Sequence, residues 1–343
     1  MVRPSLLWAG CYTGSQGAGQ GIGALRPRAD GSLQYLGLAA TASSPSFVAN
    51  GAGGRAVYAV DEANARVEAF SRAGGFEAGG FELVPLGGQN TSGPAPCHLA
   101  VAERWLYVAN YGSGVVDVFP LNADGTIGTV AQSLSASGRG PKPEQDGPHA
   151  HSTFLGPSVP GASVLTADLG LDQVHFHHRH DGLLTRTGSL DLPPGTGPRD
   201  FAAPAGGDGS LVYVIGELAA SVFALKVRVD GVSIVASGQA VAEPVEGDHG
   251  AGLQLSDDGR FLYSGLRGSN RIVVIRTSDL SPVADVSCGG DWPRNLTLVG
   301  DMLYVANQRS STVTSFRIDG DGIPRPVREP EPVPSPTFLC PVA

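Results

Sequence analysis

Apolar and polar positions alternate along this chain in one arrangement that recurs seven times. An apolar strand ends in a polar pair, a short turn follows, and a second strand begins. The copies are LLWAGCYTG (6–14), VYAVDEANARVEAF (57–70), LYVANYGSGVVDVF (106–119), VLTADLGLDQVHFH (164–177), VYVIGELAASVFAL (212–225), LYSGLRGSNRIVVI (262–275) and LYVANQRSSTVTSF (303–316). Aligned on Trp8, Tyr58, Tyr107, Leu165, Tyr213, Tyr263 and Tyr304, their spacings run from 41 to 58 residues. Val, Tyr, Leu and Phe in short alternating or continuous apolar runs read as strands, and Asp-Gly signals at 124–125, 181–182, 258–259 and 319–322 read as hairpin turns. No long segment has helical periodicity. The period and the strands together predict an all-β, seven-bladed β-propeller as one domain over 1–343.

A second motif precedes the repeats: PSF (45–47), PCH (96–98), PHAH (148–151), PRD (198–200) and PRN (293–295), with GDHGA (247–251) in the same place for the sixth. The seventh copy, PTF (336–338), stands at the C-terminus, whereas the first repeat strand stands at the N-terminus without a motif before it. One blade is therefore expected to pair the N- and C-terminal segments, which closes the ring and removes an open sheet edge.

Inner strands of a propeller place equivalent positions in rings about one axis. Four residues after the anchor stand Tyr12, Glu62, Tyr111, Leu169, Glu217, Arg267 and Gln308. After the motif proline, or in its place, stand Ser46, Cys97, His149, Arg199, His249, Arg294 and Thr337. Asp61, Asn110, Asp168 and Asn307 are expected to cap the local turn. Glu217, Arg199 and Arg267 are harder to assign to packing, because charges on inner strands must be paired or functional. A structural ion pair is the competing account of them. His98, His149, His151 and His249 also have an ordinary reading as hydrogen-bonded core histidines. The unusual charges come from repeats three to six, which predicts a lopsided site.

Composition narrows the chemistry. The 49 Gly and 26 Pro accompany 41% hydrophobic residues, a turn-rich globular protein rather than a disordered one. A net charge of −9 disfavours nucleic acid and acidic membranes as partners. Only Lys142 and Lys226 are lysines, so Schiff-base chemistry has few candidates. Four cysteines without CxxC spacing suggest free thiols and a reducing, cytoplasmic setting. The start, MVRPSLLWAGC, has too short an apolar run for a signal segment, and 6–11 reads as a strand. His175, His177, His178 and His180 lead into a turn, so an exposed strand end is expected there rather than a metal site. No HExxH, Walker A or GxSxG occurs, and no cofactor is implied.

These residues resemble a known family. CYTGSQGAGQGI, GPAPCHLAV, LYVANYGSGVVDVFPLNADG, EQDGPHAHS, ADLGLDQV, PPGTGPRDF, YVIGEL, LRGSNRI and ANQRSSTVTSFRID are similar to the lactonase seven-bladed propeller family. That family includes propeller-type 6-phosphogluconolactonases and the fungal carboxymuconate lactonizing enzyme. The resemblance covers essentially the whole chain. It implies a hydrolase of sugar lactones, with site residues His149 (or His151), Arg199, Glu217 and Arg267. Where the family usually has His after GPR, this chain has Asp200; where it has Asn before Arg-Gly, Leu266; where it often has a base before the Gln of the PHAH segment, Glu144. These departures remove positive charge and a polar group, so a lactone or carboxylate is better supported than a phosphorylated substrate. Glu217 is the expected base, His149 the acid, and Arg199 and Arg267 the holders of the oxyanion. His151, Tyr12, Glu62, His98, Tyr111, Gln308 and Arg294 are the expected substrate-binding residues. A cycloisomerase using the same side chains, and a non-catalytic propeller that binds partners on its rim, are the alternatives. The partner is a small molecule, and the chain is expected to be a monomer or weak oligomer.

Overall fold

The computed structural model describes residues 6–72, 80–156 and 163–342. Seven antiparallel sheets, each of four strands or more, form seven blades in a ring. Their innermost strands are Pro336–Pro341, Val48–Asn50, Pro96–Ala102, Ala150–Leu155, Pro198–Ala202, His249–Leu255 and Pro293–Val299, for blades one to seven. These seven contact one another in cyclic order. The proline-motif strand is thus the inner one, and the anchored repeat strand is the second in its blade. No helix among the described residues is long and apolar enough to cross a membrane. All four cysteines are free.

The ring closes in blade one. Pro336–Pro341 pairs with Leu7–Cys11, matching Trp8 to Cys340 and Ala9 to Leu339. Leu7, Ala9, Cys11 and Leu339 then pack on Tyr304 and Ala306 of blade seven.

The anchor tyrosines have a second use besides packing. Tyr58 donates its hydroxyl to the Gly125 carbonyl at 3.1 Å, Tyr107 to Gly182 at 2.8 Å, Tyr263 to Gly322 at 2.9 Å and Tyr304 to Gly31 at 2.9 Å. Each bond runs from one blade to the hairpin turn of the next, and Tyr304 carries the pattern across the closure. The turn glycines have positive φ, +80° at Gly182 and +91° at Gly31. At Gly182 an added Cβ would also lie 2.0 Å from the Trp105 indole, so the acceptor carbonyl needs glycine on two counts.

Asp61 and Asp168 accept backbone N–H groups of Asn64 and Leu171 within the local turn. Asn110 and Asn307 reach across to the adjoining strand, donating to the Val115 carbonyl and to Thr314 Oγ1. The histidine run differs from its expectation. Strand Gln173–His180 exposes His178 and His180, but His175 and His177 are buried. Alternation explains this, because residues two apart share the face packed inside the propeller. His175 lies 3.8 Å from Asp168 and His177 3.1 Å from the Thr166 hydroxyl. No group of three or more potential metal ligands occurs among the described residues.

Closure gives a direct stability test. Leu339→Ala, at a site 1% exposed, should cost about 2–5 kcal/mol and Tyr304→Phe about 1 kcal/mol in urea unfolding. Losses under about 0.5 kcal/mol, typical of surface substitutions, would show that the ring does not depend on this seam.

Candidate functional site at the channel mouth

Six of the seven inner strands carry a bulge, whereas Val48–Asn50 of blade two pairs in regular register. Pro96 faces Asn110 and His98 faces Ala109, so Cys97 is passed over. Likewise Ala150 and Ser152 pass over His151, Pro198 and Asp200 pass over Arg199, Pro293 and Asn295 pass over Arg294, and Pro336 and Phe338 pass over Thr337. The extra residue in a bulge is unpaired and re-aimed. Here it lines the axis. A cavity of about 40 Å³ is bounded by Ser46, Cys97, His151, Arg199, Arg294 and Thr337, and by Phe47, His98, Asp200, Gly252, Asn295 and Phe338 from the next positions.

This register changes two of the expected ring members. In blade four the bulged residue is His151, and His149 lies two residues before it. In blade six His249 pairs with Arg267 in the ladder, and the bulge falls between Gly250 and Leu253. The cause is the missing proline at 150 and 250. Aligning on the first residue of the motif puts these two histidines out of phase with the bulge.

A second ring comes from the ends of the second strands. The backbone N–H of Tyr12 donates to the Ser335 carbonyl, Glu62 to Ser44, Tyr111 to Ala95, Leu169 to His149, Glu217 to Gly197 and Gln308 to Trp292, at 2.7–3.3 Å. In blade six Arg267 ends strand Phe261–Arg267 opposite His249. The backbone thus holds both rings together at the channel mouth.

Glu217 is the centre of the larger cluster. Arg199 Nη1 donates to its Oε2 in a very short contact, and Arg267 Nη2 lies 2.8 Å from its Oε1. His151 Nε2 lies 3.8 Å from Oε2. Burial alone would push the Glu217 carboxyl up, but Arg267, Arg199 and His151 outweigh it and hold it well below the usual carboxylate range. Burial, with Arg199 adding to it, drives the His151 imidazolium well below its ordinary range against the pull of Glu217, so His151 is neutral. Burial also lowers Arg267 to about 10, with Glu217 opposing. Arg267 is further anchored by a 3.0 Å bond to the Gly250 carbonyl.

A smaller cluster completes the ring. The Tyr12 hydroxyl is 3.0 Å from both Glu62 oxygens, and the Arg294 guanidinium lies 5.0 Å above the Tyr12 ring. The charges therefore extend to blades two and seven, wider than the expected span of repeats three to six. Tyr111 stacks on His149 at 4.6 Å and meets His151 edge-on at 5.8 Å. The two ring nitrogens of His149 face the Tyr111 carbonyl at 2.7 Å and Asp146 Oδ1 at 3.0 Å, so they address neither Glu217 nor the arginines. His98 lies one level deeper, against Phe47 at 4.2 Å, where its Nδ1 accepts from Thr153 N–H and burial lowers it to about 3. Gln308 has a buried Oε1 without a hydrogen-bond partner among the described residues. Asp200 is half-buried beside Arg199 and accepts backbone N–H groups of Leu253 and Phe201, both at 2.9 Å. Burial raises its carboxyl despite those donors.

Sequence reasoning passed over Trp292, whose ring lies 5.8 Å from the Arg267 guanidinium. The signal was its place directly before the motif proline, where other blades have Ser44, Ala95, Gly197 and Ser335.

The Glu217 cluster fixes the sign of a pH effect. A carboxyl whose folded pKa is depressed adds stability that is full above its unfolded value, about 4.3, and is lost as pH falls through that value toward the folded one. Glu217→Gln should cost about 3–5 kcal/mol at pH 7, since two guanidiniums lose their partner. In urea unfolding, its deficit against wild type should shrink below about pH 4. A deficit that stays constant down to pH 3 would refute the ionised cluster.

Comparison with known proteins agrees with the seven-bladed fold. The family model described as Lactonase, 7-bladed beta-propeller matches residues 6–341. A 6-phosphogluconolactonase of Bacillus subtilis is 30% identical over 314 residues, 86% of this chain and 88% of that protein. A 6-phosphogluconolactonase of Formosa agariphila is 26% identical over 305 residues, 84% of this chain and 85% of that protein. Among solved structures, the periplasmic gluconolactonase of Pseudomonas aeruginosa matches with a TM-score of 0.87 at 26% identity, covering 99% of each chain. With its whole fold matched by the family model, and a relative at 30% identity across most of its length, the chain belongs to the lactonase seven-bladed β-propeller family.

Proposed function

We propose that this protein hydrolyses a sugar lactone at the mouth of its central channel. The observation that carries the reading is the convergence of Arg199, Arg267 and His151 on Glu217 from three different blades. Relatives named for 6-phosphogluconolactone and gluconolactone support the substrate class.

Lactone hydrolysis needs an activated water, a place for the developing oxyanion, and a proton for the leaving alkoxide. His151 is neutral and therefore has a free lone pair for the water proton. As the water oxygen bonds to the lactone carbonyl carbon, the carbonyl electrons move onto oxygen, where Arg199 and Arg267 stabilise them. Glu217 offsets the charge of the imidazolium that forms 3.8 Å away. Collapse of the adduct breaks the ring C–O bond, and His151 returns its proton to the departing oxygen. The product is the open hydroxy acid.

This assignment moves the base from Glu217 to His151. Glu217 has both oxygens taken by guanidiniums, so neither is free to receive the water proton, and it acts as an orienting group. His149 loses its role as the acid because its nitrogens are engaged elsewhere. No covalent nucleophile enters.

The test is acid release from gluconolactone above the spontaneous rate. His151→Asn, Arg199→Gln and Glu217→Gln should each lower kcat/KM by about a hundredfold or more, and His149→Gln by less than about tenfold. Full activity in His151→Asn would remove the proposed base. A wild-type protein that leaves lactones intact but lactonises a carboxymuconate would move the chain to the cycloisomerase reading.

A further inference from the structure

The residue just before the inner-strand motif is left-handed in five blades: Ser44 (φ 42°), Ala95 (53°), Gly197 (60°), Trp292 (66°) and Ser335 (41°). Four of these are small, as that conformation demands, because a Cβ and bulk beyond it crowd the backbone there. Blade seven alone places an indole in it. A bulky side chain at such a φ persists where surrounding structure fixes it, and such positions gather at functional sites. The fixing bonds are present. Trp292 N–H donates to Asn270 Oδ1 at 2.8 Å, and its carbonyl accepts from Gln308 N–H at 3.1 Å.

The indole joins two cations. The Arg267 guanidinium of the Glu217 cluster lies 5.8 Å from the ring centroid, and the Arg309 guanidinium lies 3.3 Å from it. Arg309 is exposed, and its guanidinium has no hydrogen bond or ion pair to a side chain among the described residues. Stacking on the indole uses the flat face of a guanidinium and leaves its edge of N–H donors open. Such an edge matches a phosphate in a bidentate way. A shared ring keeps this open edge within one small ligand's length of Arg267.

We propose that Trp292 and Arg309 are specificity-determining residues: Trp292 holds Arg309 flat at the channel mouth, where it receives a phosphate carried on the substrate away from the lactone carbonyl. The proposal rests on the lactonase reading of the same site and deepens it. Asp200 and Glu144 had removed positive charge, and Leu266 a polar group, from blades four to six; Arg309 supplies a cation from blade seven. Arg294 also lies over an aromatic ring, that of Tyr12, but it lines the inner cavity, whereas Arg309 is exposed. Lys142, the lysine near the site, already donates to the Leu218 carbonyl at 2.6 Å.

Two measurements test it: steady-state hydrolysis of 6-phosphogluconolactone and of gluconolactone, and calorimetric binding of the products 6-phosphogluconate and gluconate. Wild type should prefer the phosphorylated lactone. In Arg309→Ala the ratio of the two kcat/KM values should fall about ten- to a hundredfold, through KM for the phosphorylated lactone rather than through kcat. Trp292→Leu should lower the same ratio, and the double variant should lower it no further than the single ones, since both remove one arrangement. Arg276→Ala, far from the mouth, should leave the ratio and the activity as in wild type. An unchanged ratio in Arg309→Ala, or a wild type without preference, overturns the proposal while leaving the lactonase reading intact. Hydrolysis of neither lactone overturns that reading. Binding then decides for the subsite: a loss of 6-phosphogluconate affinity in Arg309→Ala, with wild type favouring it over gluconate, upholds it, and equal affinities reject it.

Discussion

One backbone hydrogen bond recurs in six of the seven blades, from the N–H at the end of the second strand to the carbonyl just ahead of the inner-strand motif. It sets the position of everything at the channel mouth. The donor residue and the bulged residue belong to different strands, yet this bond holds their side chains at one level around one axis. Because backbone atoms make it, the side chains at both positions are free of structural duty. The same scaffold thus accepts Tyr12, Glu62 or Glu217 on one ring and Cys97, His151 or Arg294 on the other. Chemistry can vary from blade to blade without cost to the ring.

That freedom is used unevenly, and electrostatics explains the grouping. A buried carboxylate is unfavourable by itself, and so is a buried guanidinium; burial raises Glu217 and lowers Arg267. Together they are tolerated, but buried ion clusters of this kind are weak contributors to stability compared with apolar packing. The rest of the core shows what the fold prefers, with Leu, Val, Ile and aromatic side chains between every pair of blades. On the proposed function, Glu217 between two arginines, with a neutral imidazole beside it, serves as preorganisation for charge that develops during reaction.

Much of this could be read from the chain itself, and the two misplaced ring members have one physical origin. The PTF motif at 336–338 identified the closing strand because a ring has no ends, so a motif missing at one terminus had to be supplied by the other. Glu217 and Arg267 were found because the second strand is regular, and a fixed offset from the anchor counts residues correctly. The inner strands are not regular. A bulge adds one residue to one side of a ladder, and blades four and six have Ala150 and Gly250 where the others have proline. Counting from the first motif residue therefore selected His149 and His249 in place of His151 and Ala251. Burial of His175 and His177 was missed for a different reason: four histidines in six residues look polar, although alternate ones share the packed face. Trp292 was visible only as a residue before proline. Its meaning depended on the backbone angle of its counterparts, which no composition or period reports.

Below the two rings the channel is almost filled. Phe47 meets Phe338 at 3.8 Å and His98 at 4.2 Å, and the space left there is about 40 Å³, enough for one or two water molecules rather than a sugar. His98, lowered to about 3, is uncharged, and Asp200 has its oxygens on backbone N–H groups, so neither adds a free charge to the floor. Two consequences follow for a ligand at the Glu217 cluster. It sits on a packed base, in which Phe47, Phe338 and the uncharged His98 stack, that excludes solvent from one side and strengthens each interaction with Arg199 and Arg267. It also has nowhere to extend except outward. Any group that a lactone carries away from its carbonyl must lie along the mouth, past the residues that precede the bulges, and of these only His149, His249 and Trp292 present ring surface. On the proposed function, selectivity among lactones is therefore a property of the rim, and reactivity a property of the rings beneath it.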